Sequence, residues 1–440
     1  MALSDHDSLR AERRQALRRA FAASLAGTSL EWYDFAVYGA AAALVFGQLF
    51  FPSEDALTGT LKAFGTYAVG YISRPVGGIV FGRLGDVIGR KRVLIWTLLL
   101  IGAATVLIGL LPTYAAAGYA GPAMLVLLRF AQGVGVGGEW GGAVLLTSEF
   151  TGPDERGFWA SAAQVGPPLG TLLANGVLAL LAGTLTGAQF LDWGWRLAFL
   201  LSAALVAFGL WIRHSLEETP VYRRLEARGE RPAAPVTDVL RTQMRPLVAA
   251  ILSRVGPDVL YAMFAVFVLT YATTQSKMPR GEAVVAVMVA SALQVVTIPF
   301  AGYLSDRFGR KIVYLTGAVG GALWIFAFFA VMAQPSLPRL VAGVVVGLFF
   351  HSLMYGPQAA FIAEQFHARL RYTGCSLAYT FAGIIGGAVA PLVLTLLLAG
   401  DPSGRAIAVY VAGAAVVTLV GLAMGRAVVD EADRAVAAEA

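Results

Sequence analysis

The chain has 440 residues, of which 58% are hydrophobic and 14% charged, against roughly a quarter charged in a soluble domain. Too few charges remain to coat a water-facing surface, and the chain's apolar stretches are better solvated by lipid. Fifty glycines suit the close approach of membrane helices, and the single cysteine, Cys375, excludes an internal disulfide and a cysteine-based metal cluster.

Residues 1–19 are polar and carry five arginines. The apolar stretch that follows runs past residue 45 and holds Glu31 and Asp34, too long for the core of a cleavable signal. It reads as the first of twelve spans, near residues 20–48, 61–82, 92–112, 122–148, 158–183, 194–212, 246–272, 282–304, 312–333, 340–363, 372–398 and 406–425. At ~1.5 Å per residue each can cross a ~30 Å hydrocarbon core. The one long polar segment between spans separates six from six. The expected organisation is therefore a cytoplasmic N-terminal segment (1–19), an N-terminal half (20–213), a cytoplasmic linker (214–244), a C-terminal half (245–425) and a cytoplasmic tail (426–440).

Charge distribution orients the chain. With the N-terminus in the cytoplasm, 24 Lys and Arg fall on that side. Lys62, Arg196, Lys277, Arg280, Arg339 and Arg405 fall on the other, and Arg74, Arg129 and Arg254 lie within spans. This bias predicts a multi-pass protein with both termini cytoplasmic. The net charge of +6 is thus a topology signal, and nucleic-acid binding is not expected.

The halves repeat. Gly82-Arg-Leu-Gly-Asp86-Val-Ile-Gly89-Arg90-Lys91 follows the second span, and Gly302-Tyr-Leu-Ser-Asp306-Arg-Phe-Gly309-Arg310-Lys311 follows the eighth, 220 residues later. Glu149 and Arg156 after the fourth span match Glu364 and Arg371 after the tenth at an offset of 215, as Gly141 matches Gly356. Six-span repeats are a common build of secondary transporters.

These loops resemble the signature loop of the major facilitator superfamily. Glu31-Trp-Tyr-Asp34-Phe35, Arg74-Pro-Val-Gly-Gly78, Arg129-Phe-Ala-Gln-Gly133, Gly137-Gly-Glu139, Trp193-Gly-Trp-Arg196 and Glu218-Thr-Pro220 resemble, more narrowly, its metabolite:proton symporter family. The resemblance runs from about residue 20 to 425. It implies carriage of solutes such as shikimate, α-ketoglutarate, citrate, or proline and betaine. The osmosensing proline/betaine carriers extend into a long C-terminal coiled coil, whereas this sequence stops at Ala440, so osmosensing is not expected.

Charges inside spans are costly and normally face a cavity or a partner. Counted inward from the span ends, Asp34, Arg74 and Glu139 lie about 15–21 Å deep, near the bilayer midplane. Arg74 is the expected substrate-binding cation, because its guanidinium forms a two-point fork for a carboxylate; the alternative is a permanent pair with Asp34 or Glu139. Tyr67, Tyr71 and Arg74 share one helix face. Tyr38, Gln164, Tyr355 and Gln358 are further candidate contacts. Gln164 lies close to Pro167-Pro168, where a helix break is expected to free backbone groups. Asp34 and Glu139, with Glu31, are the candidate proton carriers, since burial and a nearby arginine oppose each other on a carboxylate. The Arg129-x-x-Gln132-Gly133 pattern resembles the superfamily's proton-coupling motif, with a helix-packing arginine as the alternative.

Asp86 and Asp306 are expected to cap neighbouring helix N-termini, and Arg90 and Arg310 to pair across the cytoplasmic face. Together with Glu149, Arg156, Glu364 and Arg371 they form a gating set. Arg254 and Asp258, at i and i+4, are expected to neutralise each other. Gly133-Val-Gly135-Val-Gly137-Gly138 contains a dinucleotide-like G-x-G-x-x-G but lies within an apolar run, and so reads as close helix packing. No nucleophile, metal-ligand or cofactor pattern is present, so no enzyme activity, cofactor or metal is expected. The reading is an all-α membrane protein of twelve transmembrane helices in two pseudo-symmetric halves. It is expected to be a monomeric, proton-coupled symporter in the bacterial cytoplasmic (inner) membrane, importing a small carboxylate-bearing or zwitterionic metabolite by alternating access. A uniporter or a proton-antiport exporter is the alternative.

Overall fold

The computed structural model describes residues 2–52, 56–428, 430–431 and 434. Most of the tail 426–440 and the side chains of residues 1–13 and Arg280, which enter the charge count above, lie outside what is described. No strand occurs among the described residues. Among the described residues, twelve long helices run in chain order. They are α1 (Ala2–Ala41), α2 (Ala56–Ile72 and Arg74–Ile88), α3 (Arg90–Leu110), α4 (Ala120–Ser148), α5 (Arg156–Thr184), α6 (Gly187–His214), α7 (Met244–Gln275), α8 (Gly281–Phe308), α9 (Arg310–Val331), α10 (Leu337–Ala363), α11 (Ala368–Gly400) and α12 (Arg405–Met424).

Ten of these, α3 to α12, are long and apolar enough to cross a membrane on length and composition alone. The other two fall short for visible reasons. Helix α1 begins in the charged segment and carries Glu31 and Asp34, and α2 is jogged at Ser73 into parts of 17 and 15 residues. Pro75 causes the jog, because it lacks an N–H and its ring crowds the carbonyl four residues back.

Apolar side chains such as Trp96, Leu99, Leu107, Ile312, Leu323 and Leu392 face outward, while Glu31, Asp34, Arg74, Arg129, Glu139 and Arg254 are buried. This is the arrangement lipid requires. The halves meet through α2 against α11 and, in the repeat-related position, α5 against α8. Within the N-terminal half, α2 and α4 are zipped by glycine. A Cβ at Gly77 would collide with the Val134 carbonyl, and one at Gly137 with the Arg74 carbonyl. The G-x-G-x-x-G run is therefore a packing seam.

One expectation changes. Helix α5 runs unbroken through Pro167 and Pro168, held by the close seating of Gly166 on Thr28 and of Gly170 on the Ser29 carbonyl of α1. No break exposes backbone groups there. The polar segment 214–244 also folds into two short helices, Pro220–Ala227 and Pro235–Thr242, each opened by proline.

Candidate functional site

The two repeated loops end in glycines, Gly89 and Gly309, with φ of 109° and 93°. Only glycine holds such angles without strain, and the sharp turn sends α3 and α9 back into the bundle. The turn aims the preceding aspartates across the interface between halves. Asp86 accepts the N–H groups of Tyr372 and Thr373 at 3.2 and 2.9 Å, in the first turn of the Arg371–Ala382 part of α11. Asp306 accepts those of Gly157 and Phe158 at 2.9 and 2.8 Å, at the start of α5. Each carboxylate thus meets the positive end of a helix from the other half.

The arginines complete each lock. Arg90 pairs with Glu149 at 3.3 Å and Asp86 at 3.4 Å, and donates to the Ala368 carbonyl across the interface at 3.2 Å. Arg310 pairs with Asp306 and with Glu364 at 3.5 Å, and donates to the Pro153 carbonyl at 2.6 Å. Arg156 reaches Glu364 across the interface at 3.9 Å. Arg371 is buried, with its Nε donating to the Phe366 carbonyl at 3.2 Å. The sequence reading missed one component of the first lock, the linker. The Thr219 hydroxyl donates to Glu149 at 2.5 Å, Glu218 accepts the Arg90 and Lys91 N–H groups at 3.1 and 3.2 Å, and the Tyr222 ring lies 5.0 Å from the Arg90 guanidinium. Burial raises the Glu218 carboxyl above its usual range, opposed by the Thr219 N–H and the Arg90 charge. Both sets of contacts join the two halves at one end of the bundle.

Deeper in, two charged groups make no hydrogen bond or ion pair with any described residue. Arg74 is 3% exposed and lies over the rings of Tyr71 at 4.2 Å and Phe35 at 4.5 Å. Its Nε and Nη2 make no hydrogen bond, and it pairs with neither Asp34 nor Glu139 among the described residues. Glu31, 2% exposed, has both carboxylate oxygens unbonded. From the C-terminal half, Arg254 pairs with Asp258 at 2.9 Å, as its spacing predicts, and lies 3.8 Å over the Tyr379 ring. Arg254 Nη1 and the Tyr379 hydroxyl are also unbonded. Native interiors leave few buried polar groups unsatisfied, so these unbonded groups call for an explanation. Tyr379 and Arg254 were absent from the sequence-based candidates.

Asp34 sits in a different setting. The Ser202 hydroxyl donates to Oδ1 at 2.6 Å, and the Thr105 hydroxyl lies 2.8 Å from Oδ2. Gln132 donates to that same threonine at 2.6 Å and accepts from Arg129 at 2.8 Å. Arg129 itself is fully buried among the faces of Phe35, Tyr38 and Tyr67, at 3.9, 4.1 and 4.9 Å. One hydrogen-bonded chain therefore joins Asp34 to Arg129 across α1, α3 and α4. The Tyr38 hydroxyl is engaged with Thr66 at 2.6 Å.

Glu139 is bound by Arg213, by the Thr97 hydroxyl at 2.6 Å, and by nothing from Arg74. Arg213, counted in the sequence as a cytoplasmic-side charge, is 1% exposed at the end of α6. Gln164 accepts from Trp140 at 2.8 Å and donates to the Tyr355 carbonyl and Gln358 at 3.1 and 3.0 Å. Gln358 donates onward to Tyr314 at 2.9 Å. These glutamines tie the two halves together. No group of three or more metal-ligating side chains is gathered among the described residues.

Comparison with known proteins agrees with this architecture. The family described as "Sugar (and other) transporter" matches residues 19–246, and "Major Facilitator Superfamily" matches residues 259–439. The chain is 38% identical to an inner membrane metabolite transport protein, YhjE, of Escherichia coli K12, over 91% of this chain and 92% of that protein. It is 37% identical to the shikimate transporter of the same organism, over 87% and 88%. Its proline/betaine transporter is 31% identical, over 95% and 84%. Among solved structures, the proton:xylose symporter XylE bound to 6-bromo-6-deoxy-D-glucose superposes with a TM-score of 0.75 at 17% identity, covering 93% of this chain and 95% of that one. A fucose:proton symporter of E. coli gives 0.69 at 15%, covering 92% and 97%. The chain belongs to the major facilitator superfamily and is a multi-pass membrane transporter of its metabolite-carrying branch.

Proposed function

We propose that this transporter imports a small carboxylate-bearing or zwitterionic metabolite together with a proton, by alternating access, across a bacterial inner membrane with both of its termini cytoplasmic. The observation that carries the reading is Arg74, a buried guanidinium with two unbonded donors and no carboxylate partner among the described residues. A solute carboxylate supplies the partner, with the two-point geometry arginine favours. The names of the relatives, carriers of shikimate and of proline or betaine, fit such a solute.

Asp34 is the proposed proton site. Protonating it removes the charge at one end of the chain that leads through Thr105 and Gln132 to Arg129. That changes the balance of charge beside Phe35, a ring shared by Arg74 and Arg129. Solute and proton then enter the same buried region, and their joint presence favours the rearrangement that breaks the Asp86 and Asp306 locks and opens the cytoplasmic side. In proteoliposomes, Arg74→Ala is expected to abolish uptake of a solute that wild type carries, at equal protein content. Undiminished uptake by the variant would remove Arg74 from the site.

A further inference from the structure

Arg74 accounts for one end of a solute, and Glu31 stands opposite it in chemistry. Its carboxylate is as deeply buried as Arg74, yet neither oxygen accepts a hydrogen bond from any described residue. Asp34, one turn along the same helix, takes hydroxyls on both oxygens, so local crowding does not prevent satisfaction there. Glu139, the next buried carboxylate, has an arginine and a threonine. Glu31 alone of these three is left open. It lies within electrostatic range of Arg74 and, from the other half, Arg254. The neighbouring Trp32 ring meets Tyr261 of α7 edge-on at 6.3 Å. Glu31 is thus placed where the halves face each other, and a buried acceptor left unbonded carries a full desolvation penalty.

We infer that Glu31 is a specificity residue, resting on the Arg74 reading above. The solute carries hydrogen-bond donors, either hydroxyl groups or an ammonium, in addition to its carboxylate, and Glu31 accepts them. A carboxylate without donors satisfies Arg74 and leaves Glu31 unbonded. The site rejects it for the same reason that any polar pocket rejects an analogue lacking the matching group. Both donor chemistries fit an acceptor with two free oxygens.

The test is calorimetric titration of the purified full chain with three probes: shikimate, with hydroxyl donors; L-proline, with an ammonium donor; and cyclohexanecarboxylate, with none. Wild type is expected to bind shikimate or proline at least about tenfold more tightly than cyclohexanecarboxylate, and which of the two it prefers identifies the donor. Glu31→Gln is expected to lose that preference by about tenfold while still binding carboxylates. Should Glu31→Gln fail to fold, Glu31→Asp, which keeps the charge but retracts it, is expected to weaken only the donor-bearing probes. Equal binding of all three probes by wild type, or an unchanged preference in the Glu31 variants, overturns the inference. If those variants keep the preference while Arg74→Ala abolishes binding of every probe, Arg74 stands and Glu31 falls. If wild type binds none of the probes, both readings fall together.

Discussion

At the residue scale, four of the buried charges in the N-terminal half fall into three settings, and these separate their roles. Arg74 and Glu31 are unpaired, Asp34 is hydrogen-bonded to hydroxyls, and Glu139 is ion-paired with Arg213. An acid that must release a proton in each cycle needs partners that survive the change. Hydroxyls accept as well as donate, and a buried arginine does not. Asp34→Asn is therefore expected to abolish uphill accumulation yet keep solute exchange down its own gradient; loss of both together would reject Asp34 as the coupling acid. For Glu139 the account expects a structural role. Arg213→Met should cost about 3–5 kcal/mol by stranding a buried carboxylate, and adding Glu139→Leu should recover much of it. Thermal unfolding of the single and double variants measures this, and no recovery in the double variant would contradict the pairing. That these charges lie inside the bundle was legible in the sequence from their distance to the span ends. Their partners were not, because pairing depends on helix rotation. Arg213 illustrates the limit: its position just past an apolar run marks a cytoplasmic boundary by composition, yet the side chain turns back into the bundle.

At the scale of elements, the repeat was the most readable feature. The 220-residue offset marked the two loops as equivalent, their aspartates were expected to cap helices, and both meet N-termini of the opposite half. The same offset recurs where no motif announces it. Helix α1 turns π-helical at Ala42–Phe46, and α7 does so at Ala262–Phe267. Such turns gather at functional sites, and their pseudo-symmetric placement follows from two halves built alike. Less readable were the jog at Ser73, the unbroken course of α5 through two prolines, and the folding of the linker onto Glu149, since each depends on what packs alongside. The glycine seam between α2 and α4 gives a direct check. A methyl at Gly77 points at the backbone of Val134, which cannot move aside as a side chain can. Gly77→Ala is expected to destabilise the purified protein by about 1–3 kcal/mol. An unchanged unfolding temperature would mean that α2 and α4 are not packed as described.

For the whole molecule, the two sets of contacts join the halves at one end, and on the alternating-access proposal opening that end requires both aspartates to leave their helix ends. Cys375 reports on this, being fully buried in α11 just past the residues that Asp86 caps. Asp86→Asn withdraws the charge from that cap, a loss of about 1 kcal/mol or more, so the open state should become more populated. Maleimide labelling of Cys375 is expected to quicken by roughly tenfold, with Cys375→Ser as the unlabelled control; an unaltered rate would show that Asp86 does not hold the face closed. The central claim, that solute and proton load one buried site and cross together, is tested most directly by accumulation. Proteoliposomes of the wild-type chain, made alkaline inside and acidic outside, are given labelled shikimate or proline, with and without an uncoupler. The account predicts concentration of one of these solutes above its external level, collapsing when the uncoupler is added. Entry that stops at equilibrium and ignores both the gradient and the uncoupler would contradict it.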